Sequence, residues 1–197
     1  MWLVIGLGNP GCKYAMTRHN VGFMVMDVWM NSINAGNYRD EHKAETKKFK
    51  LDIEKKSEEI LVMKPQTFMN LSGQSVQAAM AFYKIPLEQI LIVHDDVDQP
   101  LGSMKFHKNR GHGGQNGVRN ITELLGTMDY ARLKIGVGRP EHPGFDIGDY
   151  VLSAFTKDED KVLKKVVEKA IAGIECFIFK GLNQASTDFN GPLKGAL

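Results

Sequence analysis

WLVIGLGNPG, residues 2–11, sets the reading of the whole chain. A short apolar run enters a turn whose glycines, Gly6, Gly8 and Gly11, match the G-x-G-x-x-G spacing of a loop that cradles a dinucleotide pyrophosphate. That chemistry needs a helix opening within the glycines, so that its first N–H groups meet the phosphate. Pro10 interrupts the motif and biases Asn9 towards extended conformations, and CKYAMTRHN, residues 12–20, carries no apolar stripe. A helix starting near Asn20 begins too late to reach a phosphate held by Gly8 and Gly11. The stretch therefore reads as a buried first strand, 2–8, followed by a turn that serves another purpose.

Outward from this strand, strand and helix patterns alternate. VGFMVMDVWMNSI (21–33) has helical spacing, while KKFKLDIEKK (47–56) alternates Phe49, Leu51 and Ile53 with charge, as an edge strand with one wet face does. EEILVMKP (58–65) is a second strand that stops at Pro65. LSGQSVQAAMAFYKI (71–85) predicts a helix with Asn70 as its N-cap. QILIVHDD (89–96) is an apolar strand ending in charge, and 103–108 is a further strand. GVRNITELLG (117–126) is a short helix and RLKIGVG (132–138) a strand. Residues 157–181 begin with acids and place Val162, Val166, Ile171, Ile174 and Ile178 along one stripe, which predicts a long amphipathic helix. Residues 183–197 read as weakly ordered. This order predicts an α/β fold: residues 1–197 as one domain, a three-layer sandwich with a mixed, largely parallel twisted sheet flanked by helices.

Composition narrows the function classes. At 197 residues with 43% hydrophobic content, the chain suits one domain with a full core. Cys12 and Cys176 are its only cysteines, and it shows neither a signal-like start nor an apolar run of membrane-spanning length. It reads as a soluble, cytoplasmic protein with no membrane partner. The net charge of +2 is too mild to argue for nucleic acid, but its distribution says more. Between Asp98 and Glu123 there is no acid, while Lys105, Lys108, Arg110 and Arg119 fall there with His107 and His112, and Arg132, Lys134 and Arg139 follow. If they share a face they form a phosphate-binding patch; if acids lie nearby in space they form an ordinary solvated surface.

In sheets of this kind, ligands bind outside the carboxyl ends of the strands. Asn9 and His19 follow the first strand, Asn70 lies beyond Pro65, Asp95 ends ILIVH, and Asn116 sits in RGHGGQNG. No G-x-S-x-G turn supplies a serine nucleophile, and nothing marks Cys12 as an activated thiolate. A histidine with a carboxylate partner is enough to activate water, however, and asparagines can donate to an oxyanion without adding charge. The group thus fits an esterase without a covalent intermediate. A rival is a metal site in HDDVD (94–98) with His19, His107 and His112, although no HExxH or paired-histidine spacing is present. RGHGGQNG lacks the Lys-Ser/Thr of a phosphate-binding loop, but its glycines and basic flanks allow close approach of a nucleic-acid backbone.

VIGLGNPG, YAMTRHNVGF, PQTFMNLSGQSV, ILIVHDDVDQPLG, GHGGQNGVRNI and RLKIGVGRP, in that order, resemble the motifs of bacterial-type peptidyl-tRNA hydrolase. The resemblance runs from the first strand to about residue 155. It implies hydrolysis of the ester joining a peptide, or an N-blocked amino acid, to the 3′ end of tRNA, by a monomer without metal or cofactor. It further implies that His19 is the general base, that Asp95 supports it, and that Asn9 helps to distinguish blocked from free amino groups. Asn70 and Asn116 are implied to position the peptide and the attacking water, with Tyr14 and Phe68 at substrate-contacting positions. Where many members carry a lysine, two positions after Lys105, this chain has His107, which leaves Lys105, Lys108 and Arg110 as the implied tRNA phosphate patch. A metal-dependent phosphoesterase built on HDDVD and a non-catalytic RNA-binding module are the competing readings.

Overall fold

The computed structural model describes residues 1–140, 142 and 144–193. Leu3, Val4 and Ile5 have no exposed surface, so the first strand, β1 (Trp2–Gly6), is buried on both faces, as its unbroken apolar run requires. It lies inside one sheet with β2 (Arg39–Glu41), β3 (Ala44–Ile53), β4 (Lys56–Pro65), β5 (Ile90–Asp96), β6 (Ser103–Lys108), β7 (Ala131–Gly136) and β8 (Gly191–Pro192). The strand order is β2-β3-β4-β1-β5-β7-β6-β8. The central strands β4, β1, β5 and β7 run parallel, and the flanking pairs are antiparallel, so the sheet is mixed as expected.

Alternating residues of these strands feed two cores. On one face Val4, Val62, Val93, Leu133 and Ile135 pack under α1 (Val21–Ser32) and α5 (Lys157–Phe189). On the other, Leu3, Ile5, Leu61 and Ile92 pack under α2 (Ser72–Tyr83) and α3 (Asn116–Leu125). A one-turn helix, α4 (Ile147–Val151), precedes α5. Among the described residues no helix is long and apolar enough to cross a membrane.

Two local expectations change. Asn70 does not cap α2: it lies in a 3-10 turn, Met69–Leu71, and the N-cap position falls to Leu71. The free N–H of Gly73 is instead taken by the Asn120 side chain of α3 at 2.9 Å, which releases the Asn70 amide from structural duty. The 183–197 stretch is not weakly ordered through its described part. After a break at Gly181 (φ 83°) α5 continues to Phe189, and the Asn190 side chain pairs with both backbone groups of Phe106 as β8 joins β6. Residues 194–197 lie outside the described residues. The edge strand expected at 47–56 is present as part of β3, with Lys47–Ile53 paired only to β4 among the described residues, and the structure adds Arg39–Glu41, which pairs with Ala44–Thr46. That short polar strand has no apolar alternation to announce it.

The glycines of GLGNPG have a mainly structural use. A Cβ on Gly6 would lie 2.3 Å from the carbonyl oxygen of Gly22, and one on Gly22 would lie 2.4 Å from the Leu7 nitrogen and 2.5 Å from the Val93 oxygen. The first turn of α1 therefore rests directly on the backbone of β1 and β5. Only Gly11, at φ +103°, needs the left-handed region for its turn. Gly22→Ala should destabilise the protein by about 2–3 kcal/mol through overpacking, even though alanine favours an exposed helix by about 1 kcal/mol. A urea midpoint equal to or above that of the native chain would show that the contact yields.

Candidate active site

At the carboxyl ends of β1 and β5 the chain turns back over the sheet and opens a cleft of about 760 Å³. A 3-10 turn, Arg18–Asn20, leads into α1, and the seating of that helix brings His19 against the end of β5. His19 Nδ1 lies 2.8 Å from Asp95 Oδ2, across 76 residues of sequence, with only 9% and 4% of the two residues exposed. With Nδ1–H donating to the carboxylate, Nε2 is the nitrogen left to accept a proton, an assignment made by the hydrogen-bond network. Burial pulls the His19 pKa down, but the Asp95 charge and its hydrogen bond outweigh burial and leave it raised above 6.5.

Asn9 is held from three sides. Its N–H donates to Asn20 Oδ1 and its carbonyl accepts from Asn20 Nδ2, both at 2.9 Å, while its Oδ1 accepts from the Met69 N–H at 2.8 Å. The Asn9 NH2 is consequently the end left for the cleft, which Asn9 lines. Phe68, 56% exposed, Asn70 and Asn116 line the same cleft. So do Ile147, Val151 and Leu152 of the α4 region, an apolar wall that sequence reasoning missed because α4 is one turn long. Tyr14 is not brought into this lining; its carbonyl accepts from Thr17 and its ring lies beneath the Lys13 ammonium.

The basic segment divides. Lys105, Lys108 and Arg110 do not line the cleft, whereas Arg119, Lys134 and Arg139 do. Lys108 is paired with Asp129 at 3.2 Å, Lys134 with Asp96 at 2.7 Å and Arg139 with Asp98. Arg132 is fully buried and donates to the carbonyls of Arg110 and Gly111, fixing the start of the glycine-rich loop. Nearby acids thus compensate part of the patch. Lys105, Arg110 and Arg119 are exposed, and among the described residues none of the three is in an ion pair.

HDDVD is likewise dispersed. His94 Nδ1 points to the Asp95 carbonyl at 2.7 Å, and Asp96 and Asp98 are committed to cations. Among the described residues no group of three or more His, Cys, Asp or Glu side chains is arranged to hold a metal. Sequence reasoning also missed Asn20, although it directly follows His19, and Gln115, whose Nε2 donates to Asp95 Oδ1 at 3.1 Å.

Two further histidines tie the site to pH. Burial pushes the His94 pKa down to about 4, and burial together with the Arg132 and Lys134 charges pushes His107 down to about 3. Both are neutral in the fold, and an unfolded chain takes up their protons first as pH falls below about 6.5. Their contribution is complete above that value and is lost towards pH 4 and then 3. His19 acts in the opposite sense, since its raised pKa gives a contribution present below 6.5 and lost as pH rises. The melting temperature should therefore drop between pH 7 and 4.5, with a shallower slope in His107→Gln. An unchanged slope in that variant would remove His107 from the account.

Known proteins resemble this chain over nearly its full length. A family model described as peptidyl-tRNA hydrolase matches residues 3–196. A peptidyl-tRNA hydrolase of Bdellovibrio bacteriovorus is 48% identical over 96% of this chain and 100% of its own length. One from Desulforamulus reducens is 39% identical over 96% and 89%. The crystal structure of peptidyl-tRNA hydrolase from Acinetobacter baumannii superposes with a TM-score of 0.84 at 30% identity, covering 96% of each chain.

Proposed function

The chain belongs to the peptidyl-tRNA hydrolase family, and from that premise we propose how its cleft divides the work of the reaction. The protein is a hydrolase that cleaves the ester of peptidyl-tRNA. In the proposed mechanism His19 Nε2 takes a proton from water as the water oxygen attacks the ester carbonyl carbon. Asp95 stabilises the imidazolium that forms, and the Asn9 NH2, together with the Asn116 amide, donates to the developing oxyanion. Collapse of the tetrahedral intermediate breaks the bond to the terminal ribose oxygen. The His19 imidazolium returns its proton to that oxygen, so the products are a peptide carboxylic acid and free tRNA. The observation that carries this reading is the 2.8 Å bond between His19 and Asp95 at the lining of a cleft with three neutral asparagines.

Phe68 and Asn70 take the peptide side of the ester, while Tyr14 meets the substrate outside the cleft. The tRNA phosphates lie against Lys105, Lys108 and Arg110, with Arg119 extending the patch to the cleft wall. The chain acts as a cytoplasmic monomer, as one domain over 1–197, and without a metal or other cofactor.

Release of the blocked amino acid from an N-acetylated aminoacyl-tRNA tests the base. His19→Ala should lower turnover by about a thousandfold or more while leaving tRNA affinity near native, and a chelator should not affect the native chain. Native-level turnover in the variant would remove His19 from the mechanism, and chelator-sensitive cleavage would call for a metal.

The patch makes a separate prediction. Neutralising Lys105, Arg110 and Arg119 together should flatten the dependence of log affinity on log salt by about two, at roughly 0.7–0.9 per lost phosphate contact. Lys108→Gln alone should change it less, because Asp129 already compensates Lys108. An unchanged slope in the triple variant would place the tRNA elsewhere.

A further inference from the structure

Asp95 has two carboxylate oxygens, and both are engaged. Oδ2 accepts from His19 Nδ1 at 2.8 Å and Oδ1 accepts from Gln115 Nε2 at 3.1 Å. A carboxylate held at one oxygen can still rotate about its last bond, and one held at both has a fixed plane. Gln115 is 7% exposed and stands at the N-cap of α3, where its Oε1 accepts from the Val118 N–H at 2.8 Å. That cap decides the orientation of the amide. Turned over, the Gln115 NH2 would face the Val118 N–H donor and its oxygen would face the Asp95 carboxylate, two repulsive contacts in place of two hydrogen bonds. The same Nε2 also lies 3.2 Å from Met69 Sδ, and the Met69 N–H is the donor that fixes the Asn9 side chain.

We propose that Gln115 is the positioning residue of the catalytic pair, its amide locking the Asp95 carboxylate in the plane that serves His19 while its oxygen anchors the helix that begins with Asn116. The proposal rests on the assignment of His19 as general base. A neutral amide suits this position because it fixes the carboxylate without cancelling its charge, and that charge is what raises the basicity of His19. A lysine or arginine there would hold Asp95 equally well but would compete with the imidazolium. Gln115 links three chain segments to one carboxyl group: the end of β5, the start of α3 and the turn before α2. The other charged and titratable groups around the pair are Arg18 beside His19, His94 and Asp96 on β5 and Arg132 and Lys134 on β7, with Asp98, His112, Arg119 and Arg139 on the cleft wall.

Two substitutions separate positioning from capping. Gln115→Ser keeps a good N-cap oxygen but is too short to reach Asp95. Gln115→Glu keeps the cap and sets a second carboxylate against Asp95. The serine variant should still fold cooperatively, with a melting temperature lowered by about 4–8 °C for the lost hydrogen bond to the buried carboxylate, while kcat falls up to about a hundredfold with KM near native. In the glutamate variant the His19 imidazole, followed by NMR without substrate, should titrate at higher pH, and the acid limb of the kcat profile should move with it. Native kcat in the serine variant, or an unmoved His19 titration in the glutamate variant, would overturn the proposal and reduce Gln115 to a helix cap. A His19 titration that moves while the rate profile does not would keep the Gln115 contact and overturn His19 as the base.

Discussion

The first turn of α1 must lie on bare backbone for this site to exist. Gly6 and Gly22 remove the side chains that would otherwise hold helix and sheet apart, and Gly22 meets both Leu7 and Val93. Val93 is two residues before Asp95, and Gly22 is three residues after His19. This backbone contact between α1 and the sheet is therefore also a local restraint on the distance between His19 and Asp95. Further out, Val25, Met26 and Trp29 of α1 pack fully buried on the same face and hold the approach by apolar burial rather than by hydrogen bonds. The polar pair is thus positioned by a dry contact one turn away, where a shift of tenths of an ångström would already be resisted.

The electrostatics of the cleft follow from where charge is allowed to remain uncompensated. Asp96 is met by Lys134, Asp98 by Arg139, and the burial of His94 keeps it neutral. What remains is the Asp95 carboxylate, committed to His19 and to the neutral Gln115 amide, and the exposed Arg119 on the cleft lining. A cleft with many free charges would let nearby cations and anions perturb the imidazole, whereas here the dominant raising influence on His19 is the charge it touches. The asparagines fit the same pattern, because they can hold an oxyanion and a water without adding another charge to the balance.

Much of this was legible in the sequence. Each buried strand had an apolar run to announce it, and the five residues Asn9, His19, Asn70, Asp95 and Asn116, which all line the cleft, could be grouped from strand ends and the glycine-rich loop. What was not legible had a physical reason in each case. Arg39–Glu41 and Gly191–Pro192 are strands only because a neighbour offers hydrogen bonds, and α4 is too short to show a period. Asn70 looked like a cap because short amides usually are, but Asn120 on another helix had taken the N–H it would have met. Of the two readings open for the basic stretch, the one with acids nearby in space holds in part, since the fold brings Asp96, Asp98 and Asp129 to Lys134, Arg139 and Lys108. Gln115 escaped notice because its importance lies in two partners, Asp95 and Val118, one of them 20 residues away.

The long C-terminal helix carries none of the sequence motifs, yet it too bears on His19. Arg18, the residue before it, is 5% exposed and donates from Nη2 to both oxygens of Glu159 at 2.7 Å. Its Nη1 reaches Ser153 Oγ and the Ala154 carbonyl, and the guanidinium lies 4.4 Å from the Tyr150 ring centre. Glu159 is at the same time the third residue of the capping box that opens α5, accepting from the Thr156 N–H. One partly buried ion pair thus joins the His19 turn to the start of α5 and to the segment that follows the apolar wall of the cleft. Removing Glu159 would leave the buried Arg18 guanidinium without its carboxylate, a loss larger than the net worth of the intact pair, whereas the partly exposed Glu159 would lose less without Arg18. His19 is consequently braced on both sides: through Asp95 and Gln115 to the end of the sheet, and through Arg18 to the segment beside the apolar wall of the cleft.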